Sequence, residues 1–552
     1  EAILLEPGYL DAYLTRAEIY ESQFDWDRAI TDYDIITTKI QPDEARYYLK
    51  KAQIKEQMGL TRQAVADYDK ALSLAPGNPL YHLQKGLLER RNGDRQAAVT
   101  SFTRALALNV TYTEAYLQRG STLAELDKTN EAAADFRQVQ KLGGADSTTV
   151  RFVRAKSQDY HNMGAAALRN RDAPKAERLF DLALALDPRN GSVWITRGDV
   201  LFERKEYLKA LDLYNQAVQT NPRISEGFYK KALALVQLQR NKEALENLAV
   251  ALRLNNTYLD AYVLRGDMLM ASNQLTQALA NYQQLADILL PVYKEQQRKM
   301  RVDASLKKQL SELYAQMAKC QNRMEMPPNA LVTADQALTI DPTCAEAYYQ
   351  RGVAYRVQKN HAGASTAFEQ AAKYQPDKLA YRYAFAQAAV QAGKYQDALA
   401  ACNKTLELDN AQSLRDVRYW RGRSFYHLNR PAEALRDFTM HELKNPGIAD
   451  ATFFAYFALA QLHEKRSLSA AKTARRALAT EANNPLALLA MGCVLAQQNK
   501  AQEAMAWLRK AFATRQLDGP TLRREEALLR PVRTGTATSR SYADLRRAYF
   551  PG

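Results

Sequence analysis

The sequence predicts an all-α solenoid of about fourteen helix–turn–helix units. Three observations lead there. The chain has 552 residues, beyond the ~250–300 at which a single hydrophobic core stops growing, so it is several domains or one repetitive array. Glycine (22) and proline (18) are scarce for that length, which favours helices over long loops. Small residues also recur on a fixed beat: eight of the thirteen spacings between successive marker alanines are 34 residues.

The beat is a skeleton. An aromatic or aliphatic residue is followed by a small residue four later, an alanine twelve after that, an aromatic or aliphatic four on, an alanine three on, and often proline. Trp194, Gly198, Ala210, Tyr214, Ala217 and Pro222 form one copy, and Tyr348, Gly352, Ala364, Phe368, Ala371 and Pro376 another. Apolar residues at i, i+3, i+4 and i+7 make each unit two amphipathic helices. Glycine or alanine in the first helix lets the second approach closely. The alanine of the second helix does the same from the other side, and the aromatics fill the wider gaps. Proline at the boundary stops a helix and sets the turn. One unit cannot bury its apolar face alone, so units stack.

This skeleton resembles the tetratricopeptide repeat at nearly every diagnostic position, over residues 1 to 518. The resemblance implies a right-handed superhelix whose first helices line a concave face that takes peptides or partner helices. The chain as a whole is similar in style to long bacterial arrays, some of them envelope lipoproteins in assembly or secretion machines.

Taken in order, residues 1–10 match the tail of a second helix, which predicts a fragment of a longer protein. Units 1–4 span 11–145 and units 5–8 span 146–290. Between Ala132 and Ala176 the beat lengthens to 44. Gly143-Gly144 there act as a stop and Ser147 or Thr148 as an N-cap, so the next helix starts early and overhangs its neighbours. A longer gap, 52 between Ala278 and Ala330, predicts two lengthened helices with an insertion over 291–310, a turn near Arg301–Ser305 and a kink at Pro291. Units 9–14 span 311–518, with two-residue additions near Asn410–Asp416 and Pro446–Ala451. Residues 519–552 lack the skeleton and predict capping helices over 520–530 and 541–549.

Composition excludes several classes. No apolar run reaches the ~18–20 residues that span a bilayer. Cys320, Cys344, Cys402 and Cys493 are too scattered for zinc or a disulfide framework, and the six histidines lack metal-ligand spacing. No phosphate loop, HExxH or GxSxG occurs, so no catalytic residue, metal or cofactor is assigned. Glu525-Glu526 are expected on a surface helix. The formal charge of +15 admits an acidic partner, nucleic acid or an anionic surface.

Binding is therefore the expected function, by a non-enzymatic scaffold for protein or peptide partners. The position three before the small residue is expected to face the groove. It offers Leu14, Leu49, Leu83 and Leu117 in the first half, then Tyr229, Tyr349, Tyr383 and Tyr419, with Tyr426 further along the last helix; tyrosine suits such surfaces. The insertion carries Lys294, Arg298, Arg301, Lys307 and Lys308 as a basic arm for an acidic partner. The resemblance also supplies two sharper sites to test. A clamp for heat-shock chaperone tails needs Lys at the groove position and Asn four later. Leu14/Glu18, Leu49/Gln53, Ile195/Asp199 and Tyr349/Val353 do not provide it. An asparagine ladder like that of sugar-transferring relatives would retain only Asn162. Two other readings stand beside the scaffold: a recruiting arm of a larger enzyme, and a nucleic-acid surface formed by the arm and the arginines of 523–547. The compartment, cytoplasmic or periplasmic, and the oligomeric state are not set by these residues.

Overall fold

The computed structural model describes residues 2–142, 147–409, 413–447, 450–535 and 537–550, and no side chain of 147–149. The Gly143-Gly144 stop, the Ser147 or Thr148 cap side chain and parts of both two-residue additions lie outside the described residues. Among the described residues every regular element is helical.

The chain divides into two compact units, 1–261 and 262–552. The first holds α1 (Ala2–Leu5), α2 (Leu10–Ser22), α3 (Trp26–Ile35, closed by a π turn), α4 (Ala45–Gln57), α5 (Thr61–Leu74), α6 (Pro79–Arg91), α7 (Arg95–Leu108), α8 (Thr113–Glu125), α9 (Thr129–Leu142), α10 (Ser147–Arg169), α11 (Ala173–Leu186), α12 (Gly191–Glu203), α13 (Tyr207–Thr220), α14 (Ser225–Gln237) and α15 (Asn241–Leu254). The boundary falls within α16 (Leu259–Ala271). The second unit continues with α17 (Leu275–Arg298), α18 (Ala304–Arg323), α19 (Pro327–Ile340), α20 (Ala345–Val357), α21 (His361–Tyr374), α22 (Leu379–Gln391), α23 (Tyr395–Leu408), α24 (Val417–His427), α25 (Pro431–Lys444), α26 (Ala451–His463), α27 (Ser467–Thr480), α28 (Pro485–Gln497), α29 (Ala501–Ala513), α30 (Gly519–Glu525), α31 (Arg530–Thr534) and α32 (Ser539–Tyr549). From α2 to α29, consecutive helices pair into hairpins, and the chain is an α-solenoid of such pairs. Within each unit first helices also touch the first helices of neighbouring hairpins, as α12 touches α14 and α26 touches α28. From α22 to α28 in the second unit, each first helix touches the next, and these share one face.

The small residue of each first helix sits where the spacing argument requires it. A Cβ added to Gly86, Gly120, Gly352 or Gly422 would lie 2.6 Å from the ring of Phe102, Phe136, Phe368 or Phe438, in each case sixteen residues on. Gly198 and Gly266 meet Tyr214 and Tyr282 in the same way. Normal carbon contacts begin near ~3.5 Å, so these rings occupy the space a side chain would need. Where the first helix carries alanine, the residue sixteen later is often smaller: Ala318 with Ala334, Ala386 with Cys402, Ala458 with Ala474, all fully buried.

Ion pairs repeat the same spacing. Arg16, Arg119 and Arg421 each grip the aspartate sixteen residues on, at Asp32, Asp135 and Asp437, through two nitrogens. Arg197 and Arg351 reach back sixteen instead, to Asp181 and Asp335 of the preceding hairpin. Some clips thus close a hairpin and others join two.

First helices end in one residue with positive φ. Glycine supplies it at 59, 93 and 393, but Arg171, Lys205, Gln239, Glu325, Lys359 and Lys465 adopt it too. Behind Lys205 the amide of Glu206 returns to the carbonyl of Leu201 at 2.9 Å, which closes the helix end.

Two helices stand out by length. α10 has 23 residues where α12 has 13. α17 has 24, continues through Pro291, and packs on α18 along buried Leu289, Tyr293, Leu310 and Leu313. The turn between them covers 299–303, and Asp303 caps α18 on the amides of Ser305 and Leu306.

The C-terminal segment departs from expectation. A helix over 520–530 is replaced by α30, a turn over 526–529 and α31. Pro531 lies in the first turn of α31, where its fixed φ and missing N–H suit a helix start, so a new helix begins at Arg530.

Candidate functional site

The site sits on the first-helix face of the second unit, from α20 to α28. Its upstream part is a run of half-buried tyrosines. Tyr349 stacks on Tyr381 with ring centroids 4.9 Å apart and leans on Phe368 at 5.4 Å. Tyr383 donates its hydroxyl to Asp416, which also accepts the Trp420 indole N–H at 3.0 Å. Tyr381 donates to Glu346, and burial together with Glu346 and Asp416 raises the Tyr381 and Tyr383 phenols above their ordinary range. Both stay neutral donors, Tyr381 fully buried and Tyr383 half-buried.

Further along, the face closes. Tyr419 is 8% exposed and packs against Phe438, Phe453 and His441; burial pushes its phenol up to about 12. Tyr426 is 1% exposed and donates to Glu525. Neither offers the open ring expected of a groove residue, and Tyr426 in particular is core. The structure brings Tyr419 and Tyr426 together with Tyr456 and His427. Tyr229 belongs to the first unit, half-buried against Tyr258 at 5.0 Å. In the aliphatic row of the first half, Leu83 and Leu117 are only 4% and 3% exposed. Leu14 and Leu49 stay half-buried, so the apolar row expected there is closed at Leu83 and Leu117 only.

Helices α25 and α26 cover Tyr419, and what closes the end of the face at Tyr426 is the chain's own C-terminal segment. Glu525, expected on a surface, is fully buried; it accepts from Tyr426 on α24 and pairs with His463 Nε2 on α26 at 2.9 Å. Arg524 donates to His427 Nδ1 at the end of α24 at 2.9 Å. Gln497 at the end of α28 donates to the Leu528 carbonyl at 2.7 Å. Residues 524–528 therefore cross the ends of three successive first helices. Leu522, Leu529 and Val532, all at most 1% exposed, complete one core with α26 and α28.

The sequence carried a signal for this. The residues of α26 from Phe453 to Leu462 are all buried, as are those of α28 from Ala487 to Val494. A helix that is apolar all round must be covered all round, and stacking alone covers only part of it.

Electrostatics at this junction favour donors. Burial, with Arg524 and Arg423 nearby, lowers His427 to about 3, so the ring is neutral and accepts from Arg524 on Nδ1. Its Nε2–H then points at the Tyr456 hydroxyl, 3.2 Å away. Arg423 lies over the rings of Tyr456, Trp420 and Tyr419 at 4.9, 5.1 and 5.6 Å, and its buried Nε has no hydrogen-bond partner. Beside it opens a cavity of about 350 Å³ walled by Asp416, Trp420 and Asp450 among others.

The basic arm is a separate patch. Lys294, Arg298, Arg301 and Lys308 are exposed around Met300, itself 93% exposed at the turn. Glu295 meets Arg298 at 3.7 Å and Lys299 at 3.0 Å; Glu312 meets Lys308 at 3.9 Å. Lys307 reaches Asp341 at 3.6 Å and is the least available of the five. The C-terminal arginines mostly face water, with Arg533 and Arg546 held by Glu526.

Family models described as tetratricopeptide repeat match residues 83–147, 161–223 and 383–441, with two further models of the same description at 345–378 and 45–78. This chain is a tetratricopeptide repeat protein. Among curated relatives, the Hsp70-Hsp90 organizing protein of Triticum aestivum is 21% identical over 171 residues, covering 29% of each chain. The STIP1 homolog of Dictyostelium discoideum is 29% identical over 102 residues, 18% of each. The chain thus spans less than a third of the length of these relatives. Among solved structures, the Cut9–Hcn1 hetero-tetramer of the APC/C is similar at 14% identity and TM-score 0.33, over 95% of this chain and 96% of that one. YrrB, described as having an unusual peptide-binding site, is similar at 22% identity and TM-score 0.30, over 37% of this chain and 95% of that one. A tetratricopeptide array is a protein-interaction scaffold, and no helix among the described residues is long and apolar enough to cross a membrane.

Proposed function

We propose that this scaffold holds a protein or peptide partner on the first-helix face of the second unit, at the half-buried tyrosines Tyr349 and Tyr383. The basic arm at Lys294, Arg298, Arg301 and Lys308 would supply an accessory contact for an acidic partner. The observation that carries the reading is the C-terminal segment itself. The first helices of the next three hairpins, α24, α26 and α28, already hold a stretch of polypeptide at their ends through side-chain donors and apolar burial. Tyr229 on the first unit is a second contact point of the same kind. The reading does not extend to chaperone tails, because the Lys and Asn of that clamp are missing from Leu14/Glu18 to Tyr349/Val353. A setting in a bacterial envelope assembly or secretion machine rests on repeat style alone.

Tyr349→Ala with Tyr383→Ala in one chain, and separately the four arm residues changed to Glu, should each reduce recovery of partners from the source organism's lysate. Tyr419 and Tyr426 are left intact because they are core. Equal recovery by wild type and both variants, with unchanged helical content by circular dichroism, would refute the assignment.

A further inference from the structure

We infer that the inner ends of α24, α26 and α28 form a peptide site of defined chemistry, held shut by residues 519–535, which a partner segment with a glutamate followed three and four residues later by leucines displaces. The inference rests on the scaffold reading above and adds the ligand pattern and the gate.

The occupant now in place defines what fits. Glu525 takes the donors of Tyr426 and His463, the Leu528 carbonyl takes Gln497, and Leu528 and Leu529 enter the apolar floor between α26 and α28. Remove the segment, and the polar groups it leaves are mainly donors: the Tyr426 hydroxyl, the His463 N–H and the Gln497 amide, with His427 Nδ1 the acceptor that Arg524 vacates. A surface of donors around an apolar floor selects a segment that presents a glutamate carboxylate and leucines at the spacing of Glu525, Leu528 and Leu529. One without that carboxylate would leave those donors buried and unpaired, which costs more than the contact returns.

The closure has the features of a gate. Residues 514–518 return the chain from the last hairpin to α24, and the segment then runs forward across three hairpins. α30 and α31 are only 7 and 5 residues long, too short to be stable on their own. Their order depends on docking. A tethered segment of this kind acts as an internal competitor at about millimolar effective concentration. A partner must match the pattern to compete.

The test uses the full chain and a fluorescein-labelled peptide of sequence GPTLRREEALLRPVRTG, residues 519–535, read by anisotropy. Wild type should bind it weakly. Arg524→Ala, which frees His427, and Glu525→Ala, which frees Tyr426 and His463, should each bind it about tenfold more tightly or better, because the internal competitor is weakened. The same peptide with its Glu525 changed to Gln should lose that gain. Circular dichroism confirms that each variant retains the wild-type helical content, and Arg524→Ala serves as the milder change if Glu525→Ala unfolds. Folded variants that bind the peptide no better than wild type would overturn the inference and make the segment a permanent cap. Dimers of the variants in light scattering, with tails exchanged between copies, would overturn the partner assignment in favour of a second copy. Neither result touches Tyr349 and Tyr383, whose own test decides the scaffold reading separately.

Discussion

Gly422→Ala is a substitution whose sign discriminates between a packing constraint and mere helix preference. In an open helix, alanine is better than glycine by about 1 kcal/mol. At this position the new Cβ would lie 2.6 Å from Phe438 Cε1 and 2.8 Å from Cδ1, about 1 Å inside normal carbon contact. The ring is fully buried and cannot swing away, because Phe453, Phe457 and Tyr419 stand 5.8, 6.1 and 6.5 Å from its centroid. Overpacking of this kind costs about 2–3 kcal/mol, so the net loss should be about 1–2 kcal/mol despite the gain in propensity. Phe438→Leu opens the space at its own cost of about 1–2 kcal/mol. The two together should be less harmful than their sum by at least about 1 kcal/mol. Hydrogen exchange of the α24 and α25 amides reads the local stability, which suits an array whose hairpins need not unfold together. Gly492→Ala, whose Cβ would meet Leu508 Cδ2 at 3.0 Å and Cγ at 3.1 Å rather than a ring at 2.6 Å, serves as the milder control. A stabilising Gly422→Ala, or strict additivity with Phe438→Leu, would refute the claim that glycine is there to admit the ring.

Other consequences follow from the caps, the histidines and the thiols. Lys205 holds φ at 63°, so Lys205→Gly should stabilise its hairpin by about 0.5–1 kcal/mol in the same exchange measurement, where glycine in a helix interior would destabilise. His427 is neutral when folded, lowered to about 3 from an ordinary 6.5 by burial and by Arg524 and Arg423. Below its unfolded value the unfolded chain binds a proton that the folded one refuses. Stability around α24 should therefore be intact above that value and fall as pH drops toward about 3, by up to ~1.4 kcal/mol per pH unit. His427→Gln should flatten that part of the profile. Burial raises Cys320 to about 11 and Cys402 to about 12, and all four thiols are buried. A disulfide reagent at pH 8 should label none of them until denaturant is added; prompt labelling would contradict the packing.

The repeat was legible because its physics is local. Glycine at 86, 120, 352 and 422 and phenylalanine sixteen later are one contact seen in sequence, and the 34-residue spacing of Ala176, Ala210, Ala244 and Ala278 is the stack itself. The site was less legible because burial of a first-helix residue depends on what lies across it. Tyr349 and Tyr419 occupy the same place in their units, yet one is half-open and the other is covered. Glu525 looked like an ordinary surface carboxylate because its partners Tyr426 and His463 are 99 and 62 residues away. The almost wholly apolar stretch 453–462, broken only by Gln461, and the apolar 487–494 were the available clue, since no repeat needs both sides of a first helix to be greasy. The start of α31 was readable from Pro531, which suits a first helical turn.

The central claim is that partners lie on the first-helix face of the second unit. The most direct measurement places a photo-reactive benzoylphenylalanine at 383 and, in a separate chain, at 332 on the outward side of α19, where valine is 62% exposed. Irradiation in the source organism's lysate followed by mass spectrometry reads the adducts. The account predicts a discrete protein adduct from position 383 and none from 332; adducts from 332 alone would contradict it.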